Sequence, residues 1–341
     1  MKTLETERLI LRAFREDDFD AVHSYASVKE NVTYMEWGPN SGDQTRAFIN
    51  IAITKANESP CTNYQLAAIL KATGKLIGAC NFALAGDEAE IGWILHRDYW
   101  KQGYGTEMGA ALLDFGFSGL NLHRIVAHCD AENIASYRVM EKNGMRREGI
   151  FIEGRLANKS SDGKYGDELY YAILKGEWES QKEMIYYNSL PVRFDGFIDV
   201  PELSDGVVRL VCTSKSEADP IKKWVPAYAF AICQDGEKIG EINLRIGYVD
   251  SLYYGGQIGY GVDEKYRGNG YAGRACQLLL PVAKAHGMIK LLITTDHTNT
   301  ASRRVCEKLG ARFVRQARLP EWHELYKEGR RLLNIFEWDI E

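Results

Sequence analysis

A repeated segment constrains this chain more than any other feature. Ser136-Tyr137-Arg138-Val139-Met140-Glu141-Lys142-Asn143-Gly144 aligns with Ser302-Arg303-Arg304-Val305-Cys306-Glu307-Lys308-Leu309-Gly310, and six of the nine pairs are identical. Each copy follows a glycine turn: Trp100-Lys101-Gln102-Gly103-Tyr104-Gly105-Thr106 in the first half, Tyr266-Arg267-Gly268-Asn269-Gly270-Tyr271-Ala272 in the second. The spacing from the turn to Asn133 and to Asn299 differs by one residue. Chance does not hold both a segment and a spacing, so the chain reads as two copies of one unit. A length of 341 residues is too great for one ordinary core and agrees with two domains.

In both halves the turn stands between a strand-like run (Glu90 to Leu95, Gln257 to Val262) and an apolar helical run. Glycines let the backbone approach a ligand closely, and the free N–H groups of the first helical turn point at it, which makes an anion site. Further strands are expected at 6–12, 64–70, 75–84, 123–129 and 168–174, with helices from Asp17, over 43–56 and over 133–141. The second half repeats the order with strands at 206–212, 228–233, 238–246, 290–295 and 332–339 and a helix over 299–308. Its first two strands lie too close for the two-helix insertion of the first half. The pattern loosens after Gly176. The expected organisation is an α/β (α+β) fold with domains over 1–178 and 191–341, the second with a shortened opening, joined by a linker over 179–190.

The net charge of -5 and pI near 5.9 argue against a general nucleic-acid partner. No apolar run is long enough to span a bilayer, and the start has no signal-peptide core. Seven scattered cysteines without a CxxC pair read as reduced thiols of a cytoplasmic protein. No metal site is expected. His123 and His128 fall on opposite faces of their strand, which excludes a metal pair and suggests ordinary packing or surface histidines.

Both halves resemble the GNAT family of acetyltransferases. The family signature, Gln/Arg-x-x-Gly-x-Gly/Ala at a strand-to-helix turn, is complete as Arg267-Gly268-Asn269-Gly270-Tyr271-Ala272. The first half keeps Gly103 and Gly105 but has Trp100 at the first position. With Asn133, Ser136, Glu141-Lys142 and Gly144, that half resembles the ribosomal-protein N-terminal acetyltransferase branch. The resemblance implies, for each half, a mixed, mostly antiparallel sheet flanked by helices, with a splayed strand pair that binds acetyl-CoA. It also implies transfer of the acetyl group to a primary amine by direct attack in a ternary complex. The acceptor would be a small molecule or a protein N-terminus, and the protein a monomer or homodimer without nucleic-acid or membrane partners.

Such chemistry sets four tasks. Backbone N–H groups at Gln102, Gly103, Tyr104, Gly105 and Thr106, and at Gly268, Asn269, Gly270, Tyr271 and Ala272 beside Arg267, would hold the pyrophosphate. By resemblance, Ile94-Leu95 and Gly261-Val262 would polarise the thioester carbonyl, and Asn133 and Asn299 would bind the cofactor arm or cap their helices. Glu90, thirteen residues before Gly103, is a candidate base or a solvated strand-end charge. Gln257 stands at that distance before Gly270, and an amide accepts no proton at neutral pH. Glu241 is the substitute there, unless it pairs with Arg245. Ser136 and Ser302 are candidate donors to the leaving thiolate, or hydroxyls that bond their own backbone. A second class of function stays open: one half transfers, and the other only binds CoA or supports the fold.

Overall fold

The computed structural model describes residues 3–156, 165–200 and 202–341, with Leu156 described by its backbone alone. The chain divides into two compact units, Met1–Trp178 and Glu179–Glu341.

The first unit opens with β1 (Leu4–Glu5) and β2 (Leu9–Ala13), then α1 (Phe19–Ala26), α2 (Lys29–Val32) and α3 (Gly42–Ala56). Strands β3 (Asn63–Leu70), β4 (Leu76–Ala85) and β5 (Glu88–Leu95) follow, then α4 (Tyr104–Asp114), β6 (Arg124–Asp130), α5 (Ile134–Lys142), β7 (Arg146–Leu156) and β8 (Tyr165–Leu174). They form one sheet in the order β1-β2-β3-β4-β5-β6-β8-β7. Alternation in β2 buries Leu9 and Leu11 on one face. There α4 and β6 complete a core containing Met108, Leu112 and Ile125. On the other face Val22, Tyr25, Ile49 and Ala52 of α1 and α3 pack against Ala67 and Ala79. Ser41 and Gln44 cap α3 reciprocally.

One break in the sheet matters most. β5 pairs with β4 along its length, but with β6 only where Glu88–Glu90 meet Arg124–Val126. Beyond Glu90 the two strands separate. The bond from His96 N to Ile77 O (2.8 Å) fixes which way the β5 backbone alternates. It turns Ile94 into the ladder with β4, and Trp93 and Leu95 toward the gap. Gly78 allows this close pairing, because a Cβ there would collide with Ile94 O; Gly240 stands in the same relation to Gly261 O.

The boundary between the units falls inside α6 (Lys175–Asn188). Residues 179–190, expected as a linker, are therefore mostly helical. Tyr187 is buried with Tyr253 and Leu333 in a core of the second unit, and Arg315 pairs with Glu179 and Glu183. The polar surface of α6 concealed this packing from sequence periodicity.

The second unit contains β9 (Leu203–Ser204), β10 (Arg209–Ser216), β11 (Ala227–Gln234), β12 (Glu237–Arg245), α7 (Asp250–Gly255) and β13 (Ile258–Val262). Then come α8 (Tyr271–Leu278), α9 (Leu280–Ala285), β14 (Lys290–Asp296), α10 (Thr300–Lys308), β15 (Arg312–Arg318), α11 (Glu324–Lys327) and β16 (Leu332–Asp339). Here the splay is complete: β13-β12-β11-β10-β9 and β14-β16-β15 are separate sheets. No helices intervene between β10 and β11. β7 and β15 were absent from the expected strands. Their apolar alternation is broken by charged residues and by register shifts, between Arg147/Gly149 and Phe151/Arg155 in β7 and between Phe313/Arg315 in β15.

Candidate active site

The glycine turns are built alike. Gly103 (φ 84) starts α4 and Gly270 (φ 79) starts α8, both left-handed and without a side-chain cap. The first-turn N–H groups at 104–106 and 271–273 therefore lack intrahelical acceptors, and each helix presents its positive end. At the turn's entrance Trp100 Nε1 donates to Leu95 O (2.8 Å), and Arg267 Nε donates to Val262 O (2.9 Å). The indole and the guanidinium thus tie the turn to the same strand end. Arg8 adds a positive charge to the first turn. Its Nη1 donates to Gln102 O (3.0 Å), its Nε to Glu107 Oε2 (2.6 Å), and its guanidinium stacks over Tyr104.

Two cavities meet beside the β5–β6 gap. One, ≈ 450 Å³, runs along Leu95, Trp100 and the turn residues Gly103–Thr106 to Asn133 and Ser136. The other, ≈ 540 Å³, lies between the gap and α1 and α3, with Trp37, Phe48, Glu90 and His128 in its wall. Trp93, Ile94, Asn133 and Ser136 line both.

A chain of charges stands in the second cavity. Glu90 Oε1 accepts from His128 Nε2 (2.9 Å), His128 Nδ1 bonds Glu168 Oε1 (2.6 Å), and Arg155 Nη1 donates to the same Glu168 oxygen (3.2 Å). Tyr170 stacks on the imidazole. The hydrogen bond from His128 holds Glu90 below its ordinary 4.5, against partial burial. The bond to Glu90, then the carboxylate charges, raise His128 above 6.5 despite its burial. When His128 is protonated, two cations and two anions balance in this row.

The matching positions of the second unit are occupied differently. Gln257 is buried; its Nε2 donates to Gly247 O (3.1 Å) and its Oε1 accepts from Leu292 N (2.6 Å). Tyr260, on the splayed strand, bonds Ser302 Oγ (2.8 Å), and burial raises the phenol far above its ordinary value. Asp263 N donates to Ile239 O, so Gly261 faces β12 while Tyr260 and Val262 face the gap. The cavity here is lined by Glu241, Asn243, Tyr260, Gly261 and Arg267 and includes neither Asn299 nor Ser302 in its wall.

The acetyltransferase (GNAT) domain model matches residues 8–146 and 204–312. The chain belongs to the GNAT acetyltransferase family. As a GNAT protein it is an acetyl-CoA-dependent N-acetyltransferase with two family domains. It is similar to the uncharacterised N-acetyltransferase YnaD of Bacillus subtilis, 38% identical over 177 residues that span 51% of this chain and 98% of the relative. An uncharacterised N-acetyltransferase of Bacillus licheniformis is 32% identical, over 52% of this chain and 99% of its own. The crystal structure of a GNAT acetyltransferase from Bacillus anthracis, 37% identical, covers 51% of this chain and 99% of its own, with a TM-score of 0.45. No helix among the described residues is long and apolar enough to cross a membrane. Nor do the described residues include a group of three His, Cys, Asp or Glu able to hold a metal.

Within this GNAT frame the structure gathers Glu90, Leu95, Gly103–Thr106, Asn133 and Ser136 around the two cavities. Ile94 also borders both, but its N–H and C=O belong to the ladder, and Trp93 takes its expected place facing the gap; Gly261 yields to Tyr260 for the same reason. Asn133 Oδ1 accepts from Ser136 N (3.1 Å), and Asn299 Oδ1 from Ser302 N (3.0 Å), so both asparagines cap their helices. Gln102 turns its carbonyl to Arg8. Asn269 Nδ2 bonds Tyr266 O (3.1 Å) within the turn. Glu241 lines the second unit's cavity, but it is exposed and paired with Lys238 (2.5 Å). Its foreseen partner Arg245 instead donates to the carbonyls of Gly255 and Gly256. Sequence reasoning missed Arg8, Trp93, Arg155 and the bridging role of His128. His128 carries no local signal for this role, because its partners Glu90 and Glu168 come from β5 and β8.

Proposed function

We propose that the first unit transfers acetyl to a primary amine by direct attack in a ternary complex, and that the second is a copy that keeps the cofactor turn without the transfer machinery. One observation carries this reading: Glu90 and His128 open into the cavity that meets the cofactor cleft at Trp93 and Ser136, whereas Gln257 and the Tyr260–Ser302 pair lock the matching positions. The first unit fits acetyl-CoA in its chemistry, with an uncapped left-handed glycine turn for a pyrophosphate and an open strand edge for an amide-bearing arm. The cofactor supplies a thioester carbonyl open to attack by an amine.

The N–H groups of 104–106 bind the phosphates, with Arg8 beside them. The Trp93 and Leu95 N–H groups, turned to the gap, orient the arm and polarise the carbonyl. Asn133 fixes the start of α5 and so the place of Ser136, whose hydroxyl proton is available to a departing sulfur. Glu90 with His128 takes the proton of the ammonium. Below the raised pKa of His128, both imidazole nitrogens carry protons, and Glu90, held low, is a poor base. Above it, His128 keeps Nδ1–H on Glu168 and leaves Nε2 free. A proton reaching Glu90 is then shared with Nε2.

The enzyme is taken as cytoplasmic, monomeric or homodimeric, without nucleic-acid or membrane partners; the seven free cysteines fit a reducing compartment, and the mild negative charge speaks against a general nucleic-acid partner. Free CoA release across an amine panel tests the core of the proposal. Glu90→Gln should lower kcat by about 10²–10⁴-fold at pH 7.5, the range for a lost general base; an unchanged kcat would remove the first unit's base.

A further inference from the structure

The acceptor's chemistry can be narrowed further, resting on the assignment of the ≈ 540 Å³ cavity as the amine site. Among the described residues its wall holds Tyr25, Trp37, Phe48, Ile51 and Trp93, the neutral amides of Asn40, Gln44, Gln65 and Asn81, and one acidic side chain, Glu90. Glu168 is not a second cation site. It is mostly buried and already bonded to His128 and Arg155. Arg155 is likewise committed, with Nη2 donating to Tyr34 O (3.1 Å), so among the described residues of the wall no free cation waits for a carboxylate.

We infer that the acceptor is a monoamine with a bulky apolar body, aromatic or alicyclic, rather than a polyamine or a peptide N-terminus. The ammonium pairs with Glu90, the single carboxylate among the described residues that opens into the cavity. The body fills the space between Trp37, Phe48 and Trp93, where apolar contact and the aromatic faces reward it. A polyamine brings a second and third charge that would lie against apolar walls unpaired, at a high desolvation cost. A peptide brings a run of backbone donors and acceptors, for which the described wall away from the cofactor cleft offers chiefly the amides of Asn40, Gln44, Gln65 and Asn81.

The test compares kcat/KM of the full chain for tryptamine, cyclohexylmethylamine, spermidine and an alanine-headed hexapeptide, followed by CoA release. The expected result is a preference of about 10–200-fold for the first two over the last two, the discrimination a fitted apolar pocket gives. In Trp37→Ala the KM for tryptamine should rise about tenfold, the size of one lost aromatic contact, with KM for acetyl-CoA unchanged. Preference for spermidine or the peptide, turnover of none of the four, or an unmoved tryptamine KM in Trp37→Ala would overturn the assignment. Glu90→Gln separates the two readings. If its kcat on the preferred amine is unchanged while the apolar monoamine preference persists, the proton-transfer role fails and the acceptor class stands.

Discussion

Glu90 and Gln257 hold the same place in the two units, thirteen residues before a left-handed glycine that starts a helix. Glu90 faces a cavity and shares a proton network with His128. Gln257 is sealed inside, bridging β14 and the loop after β12. The same contrast recurs at the serines: Ser136 lines the junction of two cavities, while Ser302 is taken by Tyr260. Elsewhere the units differ without apparent consequence. Arg8 pairs with Glu107 at the base of the first turn, and Asp205 with Arg274 at the base of the second; the ion pair is rebuilt with its charges exchanged. Trp100 and Arg267 reach the same strand-end carbonyl by different chemistry. Contacts that only hold the turn tolerate exchange of residue type. A group that must accept a proton does not, and there the two halves have parted.

Three perturbations sharpen this contrast, in decreasing size. Gln257→Leu should unfold the second unit more easily, because it leaves the Leu292 N–H and Gly247 C=O without partners at about 1–3 kcal/mol each. The urea midpoint should fall while kcat at low denaturant stays within twofold, roughly the limit of a change that spares the transition state. A large loss of kcat in the intact fold would mean that Gln257 serves chemistry.

The next effect lies in pH. Because His128 is raised above 6.5, kcat/KM should climb about tenfold per pH unit through that raised value and then level, as the free base appears. In His128→Gln the limb should vanish. Stability carries the opposite sign. The raised His128 contributes fully below 6.5, and its share is lost as pH rises through the folded pKa. The lowered Glu90 contributes fully above 4.5, and its share is lost as pH falls through its folded pKa. The row is therefore most stabilising between those ordinary values, while the proposed activity needs a higher pH.

The smallest effect tests the exchange at the turn. Trp100→Phe removes one hydrogen bond to Leu95 O, worth about 0.5–1.5 kcal/mol. KM for acetyl-CoA should rise accordingly, and Trp100→Arg should restore it. Equal losses in both variants would show that the indole acts through its bulk instead.

Much of this contrast was legible in the sequence. The turns, Asn133 with Ser136, and the change from Glu90 to Gln257 are local spacings, and spacing survives in one dimension. The sequence marks His128 only as a packing or surface histidine, because its meaning depends on Glu90 from a parallel neighbour and Glu168 from an antiparallel one, both set by pairing. Glu241 looked usable because strand alternation gives a face but not the reach of Lys238. Residues 179–190 read as a linker in the sequence because α6 buries few of its side chains, Trp178, Ser180 and Tyr187. Tyr260 carried no signal at all; its hydroxyl meets Ser302 only once β13 and α10 are brought together.

The central claim, that transfer belongs to the first unit, is tested most directly by a matched pair of substitutions. Gly103→Glu and Gly270→Glu place a carboxylate on each anion turn at nearly equal φ, 84° and 79°, so backbone strain is comparable; a Cβ at 103 also meets Arg8 Nη2 at 3.3 Å, whereas one at 270 meets nothing within 4 Å. With the preferred amine and the full chain, Gly103→Glu should lose transfer by 100-fold or more, roughly the effect of a repelled phosphate, and Gly270→Glu should keep at least about half of it. The reverse order would place the chemistry in the second unit.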